Sequence, residues 1–186
     1  MYKAVVIGTS FGGLEALQTI LPEFPKEFPL AILVVLHIGE HSNDSFIQHL
    51  NRICHMKVKE AEDKEAIQPG TIYFAPPNYH LMVNEDFTCS LSTDLKVNYS
   101  RPAIDVLFET AAWTYKTTLI GAILCGLNSD GAKGLLEVKK MGGYTMVENP
   151  KTYSASIMPN EAFKLAKPHI RLQQEKIAAK ILDLLQ

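Results

Sequence analysis

Residues 2–14 read YKAVVIGTSFGGL, and this stretch decides the fold. The run from Tyr2 to Ile7 is rich in β-branched residues and stops at Gly8, which predicts a buried strand followed by a turn. A helix is predicted next, because apolar residues recur at helical spacing: Leu14, Leu17, Ile20 and Leu21. Strand, turn and helix within about twenty residues are typical of the first unit of an α/β fold.

The same alternation continues along the chain. Leu30 to Leu36 is almost wholly apolar, as expected of a parallel strand covered on both faces, and an amphipathic helix with Phe46 and Leu50 follows. We predict a doubly wound, mainly parallel sheet flanked by helices, which is the α/β class. The later strands are predicted at Thr117–Cys125 and Tyr144–Val147, and the later helices at 104–115, 131–141, 155–166 and 174–185.

The middle of the chain changes character. Between Val58 and about Ser92 the apolar runs are short and are broken by turn residues such as Pro69-Gly70. This pattern predicts short strands and a small antiparallel β-hairpin insertion, with Tyr79–Val83 paired to Phe87–Leu91. Because no repeat or linker divides the sequence, residues 1–186 are predicted to form one domain.

Composition excludes several classes of function. The chain has 186 residues, 47% of them hydrophobic, and a net charge of −2, which gives no bulk attraction to nucleic acid. No apolar run is long enough for membrane insertion, and the N-terminus lacks the pattern of a signal peptide. Three cysteines without motif spacing argue against a disulfide framework, so a cytoplasmic location is predicted.

Three polar residues come at or just after the ends of predicted parallel strands: Ser10, His37 and Asp130. Sites in open parallel sheets collect beyond the carboxyl ends of the strands. A nucleophile, a base and an acid at one rim have the composition of an acyl-transfer triad. A serine hydroxyl is a poor nucleophile until a base accepts its proton, which is the role expected of His37.

The segment Gly8–Gly12 has the pattern G-x-S-x-G between a strand and a helix. A sharp turn is expected to strain the backbone of Ser10, and the glycines give it clearance. The unpaired N–H groups at the start of the helix can stabilise an oxyanion. The competing interpretation is a phosphate or nucleotide loop. A dinucleotide site favours an acidic residue after the second strand, where this chain has His37.

Simpler interpretations exist for the other residues. His37 can be a core-edge histidine bonded to backbone, and Asp130 can be a helix N-cap. Asn128 and Ser129 are interpreted as turn formers without a catalytic role. No metal or other cofactor is predicted, because the histidines and the cysteine at positions 37, 41, 49, 54 and 55 form no tight ligand motif.

Several segments, in order and at compatible spacing, resemble the catalytic domain of the chemotaxis protein-glutamate methylesterases, the CheB family. They are residues 7–13, the strand ending at His37, 58–63, 69–70, 73–77 with His80, 101–108, 126–131 and 158–159. The resemblance implies that Ser10 is the nucleophile, His37 the base and Asp130 its orienting acid. It also implies an oxyanion hole made by the backbone N–H groups of Phe11 and Leu127.

The resemblance implies a substrate as well: methyl esters of glutamate on the cytoplasmic helices of methyl-accepting chemotaxis receptors, with deamidation of receptor glutamines by the same route. The sequence departs from the family at four points. Phe11 replaces a usual threonine, Asp44 stands where an arginine is common, Asn128-Ser129 replaces Gly-Asn, and no receiver domain precedes Ser10. Two alternatives therefore stay open: a non-catalytic binding module, and an esterase for a different ester.

Overall fold

The computed structural model describes residues 1–37, 44–150 and 155–186 of the protein. The strands within these ranges are β1 (Ala4–Thr9), β2 (Ala31–Leu36), β3 (Lys57–Glu60), β4 (Thr71–Phe74), β5 (His80–Val83), β6 (Cys89–Ser92), β7 (Leu119–Ile123), β8 (Tyr144–Glu148) and β9 (Ile170–Leu172). The α-helices are α1 (Gly13–Ile20), α2 (Asp44–Ile53), α3 (Ile104–Tyr115), α4 (Ala132–Lys140), α5 (Ile157–Ala166) and α6 (Ile177–Asp183).

Seven of these strands form one parallel sheet in the order β3-β4-β2-β1-β7-β8-β9. β1 lies at the centre and is buried along its whole length, as its run of apolar residues predicts. Its pairing brings Thr9 opposite Leu36 on one side and Gly8 opposite Ile123 on the other. The ends of β2, β1 and β7 therefore meet at one edge of the sheet.

Helices cover both faces of the sheet. Because side chains alternate along a strand, Val6 of β1 belongs to a core built with α3, α4 and α5. Its neighbours Val5 and Ile7 belong to a second core built with α1, α2 and α6. The predicted doubly wound α/β class is thus confirmed. No helix in the described ranges is long and apolar enough to cross a membrane.

Two details differ from the sequence-based expectation. The hairpin exists as β5 and β6, but β6 begins at Cys89 because the turn extends through Phe87, whose φ is 63°. Within that turn the Asp86 carboxylate accepts the backbone N–H of Thr88 at 3.1 Å. The edge strand β9 was not predicted at all, since three half-buried residues are too few to show a period.

Candidate active site

Ser10 is the first residue after β1 and lies in the turn that leads into α1. Its backbone N–H donates to the carbonyl of Cys125 at 3.0 Å, and the hydroxyl of Thr9 donates to the same carbonyl at 2.8 Å. These bonds tie the turn after β1 to the turn after β7. The Ser10 side chain is half-buried, and its hydroxyl has no hydrogen-bond partner in the described part of the chain.

The glycines of this turn have separate roles. Gly12 has a φ of 84°, which is the left-handed region that glycine tolerates. Gly13 lies so close to Thr9 that an added Cβ would come within 2.5 Å of the Thr9 hydroxyl. Ser10 itself is not among the described residues with a positive φ. The left-handed conformation in this turn thus lies at Gly12 and not at Ser10, whose backbone the sharp turn was expected to strain.

His37 lies beside Ser10 at the same edge of the sheet. Its backbone N–H donates to the Thr9 carbonyl at 3.0 Å, which continues the pairing of β1 and β2 by one step. Continuing that register brings His37 opposite Ser10, with both side chains on one face. Ser10 and His37 therefore lie at the adjacent ends of neighbouring strands, as the sequence predicts.

The imidazole of His37 faces the carboxylate of Asp130. Nε2 lies 2.9 Å from Oδ2, which is ion-pair distance, although this oxygen lies off the line of the N–H bond. The His37 side chain is 11% exposed, whereas Asp130 is fully buried. Because a carboxylate only accepts hydrogen bonds, the proton of a neutral ring belongs on Nε2, and Nδ1 keeps its lone pair.

Asp130 caps a helix, but not the helix that follows it. Its oxygens accept the backbone N–H groups of Ile104 at 2.6 Å and Asp105 at 3.1 Å, both in the first turn of α3. They also accept the side-chain amide of Asn98 at 2.8 Å and the N–H of Gly131 at 3.1 Å. The N-cap of α4 is Gly131 instead. The carboxylate therefore lies at the positive end of the α3 dipole.

These contacts determine the charge of Asp130. Burial on its own would raise the pKa of this carboxyl group, but the hydrogen bonds from His37, Ile104 and Asn98 outweigh burial and lower the pKa. The group is thus an anion at neutral pH. A buried anion beside an imidazole stabilises the protonated ring that forms when a base accepts a proton.

Two backbone N–H groups without an acceptor in the described part of the chain lie in the turns after β1 and β7, which the bond from Ser10 to Cys125 ties together. Among the described residues, the N–H groups of Phe11 and Leu127 donate to no other group, whereas those of Ser10 and Gly126 do. Both side chains are exposed, Phe11 by 60% and Leu127 by 47%. Unpaired N–H groups beside a nucleophile are the donors that an oxyanion hole requires.

Sequence reasoning missed the contacts of Asn128. Its Oδ1 accepts the backbone N–H of Asp130 at 3.1 Å, which identifies the other amide atom, Nδ2, as the one 3.4 Å from Nδ1 of His37. Asn128 therefore faces the ring atom that keeps the lone pair. Nothing in the sequence distinguishes this residue from a turn former, since the contact depends on two strand ends meeting.

Some predicted features lie outside the described residues. These include residues 38–43 of the segment after His37, with His41, and the side chain of Asp44. Within the described ranges, no group of three or more His, Cys, Asp or Glu residues is arranged to hold a metal ion.

The family profile of CheB methylesterases matches residues 5–181. The chain belongs to the CheB methylesterase family. The predicted resemblance to CheB methylesterases and the predicted enzyme class, a carboxylic ester hydrolase, are both confirmed.

Individual CheB relatives agree. A Leptospira interrogans relative, whose provisional name is protein-glutamate methylesterase/protein-glutamine glutaminase, is 48% identical over 177 residues, covering 95% of this chain and 92% of the relative. Protein-glutamate methylesterase/protein-glutamine glutaminase 2 of Syntrophus aciditrophicus is 38% identical over 96% of this chain, but over only 53% of its own length. The crystal structure of the Thermotoga maritima CheB methylesterase catalytic domain superposes with a TM-score of 0.94, at 36% identity and 99% coverage of both chains.

Proposed function

We propose that this protein is a serine hydrolase that removes methyl esters from glutamate side chains of chemotaxis receptors, and that it deamidates receptor glutamines by the same route. The observation that carries the proposal is the contact between His37 and the buried Asp130 at the strand ends beside Ser10. The names of the relatives supply the substrate class. We infer that residues 1–186 act as one catalytic domain in the cytoplasm, where the receptor helices carry these groups.

The mechanism follows from the order of the groups. The Ser10 oxygen attacks the ester carbonyl while Nδ1 of His37 takes the hydroxyl proton. The N–H groups of Phe11 and Leu127 stabilise the oxyanion, and the Asp130 carboxylate stabilises the imidazolium. His37 then gives its proton to the departing methoxide, so methanol leaves and an acyl-enzyme remains. Water, activated by the same ring, attacks this ester and releases the glutamate.

Deamidation needs no further group. With a glutamine substrate the bond that breaks joins carbon to nitrogen, and the proton from His37 goes to the departing amide nitrogen, which leaves as ammonia. The acyl-enzyme is the same as the one formed from the methyl ester, so one site serves both substrates.

The test is methanol release from a methylated chemotaxis receptor. Ser10→Ala should lower the rate by several orders of magnitude, because the nucleophile is lost. Ser90→Ala, in the hairpin strand β6, is the matched serine control and should keep the wild-type rate. An unchanged rate with Ser10→Ala would refute the mechanism.

One observation favours an esterase with a different ester as the second candidate. The exposed side chains of Phe11 and Leu127 make the surroundings of Ser10 apolar, which suits an apolar acyl group. Hydrolysis of small acyl esters without methanol release from receptors would support this candidate. A binding module without catalysis predicts, in contrast, that a fluorophosphonate probe fails to label Ser10.

A further inference from the structure

The side chain of Asn98 touches two buried carboxylates at once. Its Nδ2 atom lies 2.8 Å from Oδ2 of Asp105 and 2.8 Å from Oδ1 of Asp130. An amide NH₂ group has two hydrogens, so it can donate one to each carboxylate. Two buried negative charges side by side repel each other, and a shared donor offsets that repulsion.

Asp105 completes a reciprocal arrangement between two helices. Asp130 precedes α4 but caps the first turn of α3, whereas Asp105 lies in α3 and accepts the N–H of Gly134, in the first turn of α4, at 2.7 Å. Gly134 permits this approach, because a Cβ there would lie 2.5 Å from Cβ of Phe108 and 3.1 Å from Cα of Asp105. Asp130, just before α4, thus caps the start of α3, and Asp105 of α3 caps the start of α4. Asn98 donates to both carboxylates.

The two oxygens of Asp130 have unequal partners. Oδ1 accepts from Asn98, from the N–H of Asp105 and from the N–H of Gly131. Oδ2 accepts from Ile104 and is the oxygen that faces His37. The donors on Oδ1 fix the rotation of the carboxylate and so aim Oδ2 at the ring.

We propose that Asn98 is a positioning residue, which acts through Asp130 and Asp105 to hold Oδ2 of Asp130 against His37. The proposal rests on the proposed roles of Ser10, His37 and Asp130. It assigns to Asn98 no contact with substrate. Its effect should therefore appear in kcat and not in KM.

The backbone of Asn98 guides the choice of variant. Its φ of 52° is left-handed, so Asn98→Gly removes the amide without straining the chain. Asn98→Asp keeps the shape but replaces the shared donor with a third carboxylate. The matched control is Asn51→Gly, because Asn51 in α2 makes two comparable bonds to Val58, at 2.6 and 2.9 Å, on another part of the sheet.

We expect Asn98→Gly to lower kcat roughly 10- to 100-fold, and Asn98→Asp to lower it further, with KM changed by less than about twofold. The downfield NMR signal of the proton between His37 and Asp130 should shift in both variants. Asn51→Gly should lower the unfolding midpoint but leave kcat and the NMR signal unchanged.

A double variant separates positioning from simple support of the fold. Asn98→Asp with Asp105→Asn exchanges donor and acceptor, so it restores the contact between 98 and 105 but not the bond to Asp130. We expect stability to recover only in part, because the new carboxylate at position 98 faces Asp130 without a hydrogen to donate, and we expect kcat to stay low. Recovery of kcat in the double variant, or an Asn98→Gly enzyme with wild-type kcat and NMR signal, would overturn the proposal. If the wild type shows no Ser10-dependent hydrolysis, the proposed function fails instead, and the NMR signal still tests the role of Asn98.

Discussion

Replacing Asp130 by asparagine tests the centre of the site. The carboxylate accepts hydrogen bonds on both oxygens, whereas an amide offers one oxygen and one NH₂ group. Whichever way the amide turns, its NH₂ group faces at least two donors. In the orientation with fewer such contacts, these donors are the N–H of Ile104 and Nε2 of His37. Because His37 can move its ring proton away from Nε2, the N–H of Ile104 is the donor left without an acceptor in that orientation. A buried donor without an acceptor costs about 1–3 kcal/mol, so Asp130→Asn should lower the free energy of unfolding by about that amount.

The same substitution should affect catalysis through the tautomer of His37. An amide NH₂ facing Nε2 favours a lone pair on that atom, which moves the ring proton to Nδ1. Nδ1 then cannot accept the proton of Ser10. In a serine protease triad the equivalent change lowers kcat about 10⁴-fold, and we expect a loss of that order for Asp130→Asn.

Urea unfolding and methanol release measure the two effects. Because the pKa of Asp130 is lowered on folding, its contribution to stability is present above the unfolded pKa of about 3.9 and is lost as the pH falls through the folded value. The difference in the free energy of unfolding between wild type and Asp130→Asn should therefore become smaller at acidic pH. Asp63→Asn is the control, since Asp63 accepts one exposed backbone bond from Leu91. A difference that becomes larger at acidic pH, or a kcat within about tenfold of wild type, would refute the reasoning.

Substitutions at two further positions, Gly8 and Glu148, test the packing beneath the site. Gly8→Ala would put a Cβ 2.3 Å from Ile104 and 3.0 Å from Ile123. The substitution should therefore lower the free energy of unfolding in urea by about 1–3 kcal/mol, and it should lower kcat as well. A variant with the full stability of the wild type would contradict this packing. Glu148 accepts the N–H of Cys125 at 2.8 Å, while burial raises its pKa, so its contribution to stability is lost as the pH rises. At neutral pH, Glu148→Gln should thus match or exceed the wild-type melting temperature, whereas Glu148→Ala should fall below it. An equal loss of melting temperature in both variants would argue against Glu148 as the acceptor that supports Cys125.

The sequence predicts the centre of the fold well, for a physical reason. A strand buried on both faces has to be apolar along its length, and this requirement makes β1 and β2 visible in the amino-acid order. Parallel strands end at one edge, so polar residues directly after such strands are expected to meet there. Ser10 and His37 follow this rule, and Asp130 lies at the same edge in the turn between β7 and α4. The catalytic roles of the three residues stay predictions.

The rest of the site depends on contacts that no local pattern encodes. Asn98 and Asn128 are polar residues in connecting segments, and each gains its meaning only when distant parts of the chain meet. The same holds for Asp130, which the sequence suggests as a possible N-cap of the helix that follows it. It caps α3, which begins 26 residues earlier in the chain.

The reciprocal capping of α3 by Asp130 and of α4 by Asp105 has a consequence for folding. The N–H of Ile104 in the first turn of α3 and the N–H of Gly134 in the first turn of α4 each have an acceptor only when the other helix start is in place, so the two helix starts form a single cooperative unit. Separating them breaks the bonds from Ile104 to Asp130 and from Gly134 to Asp105 in one event. Hydrogen exchange at these amides should accordingly share one opening free energy. A partly unfolded molecule with α3 detached would leave the Asp130 carboxylate without its two backbone donors from α3 while most of the sheet remained intact.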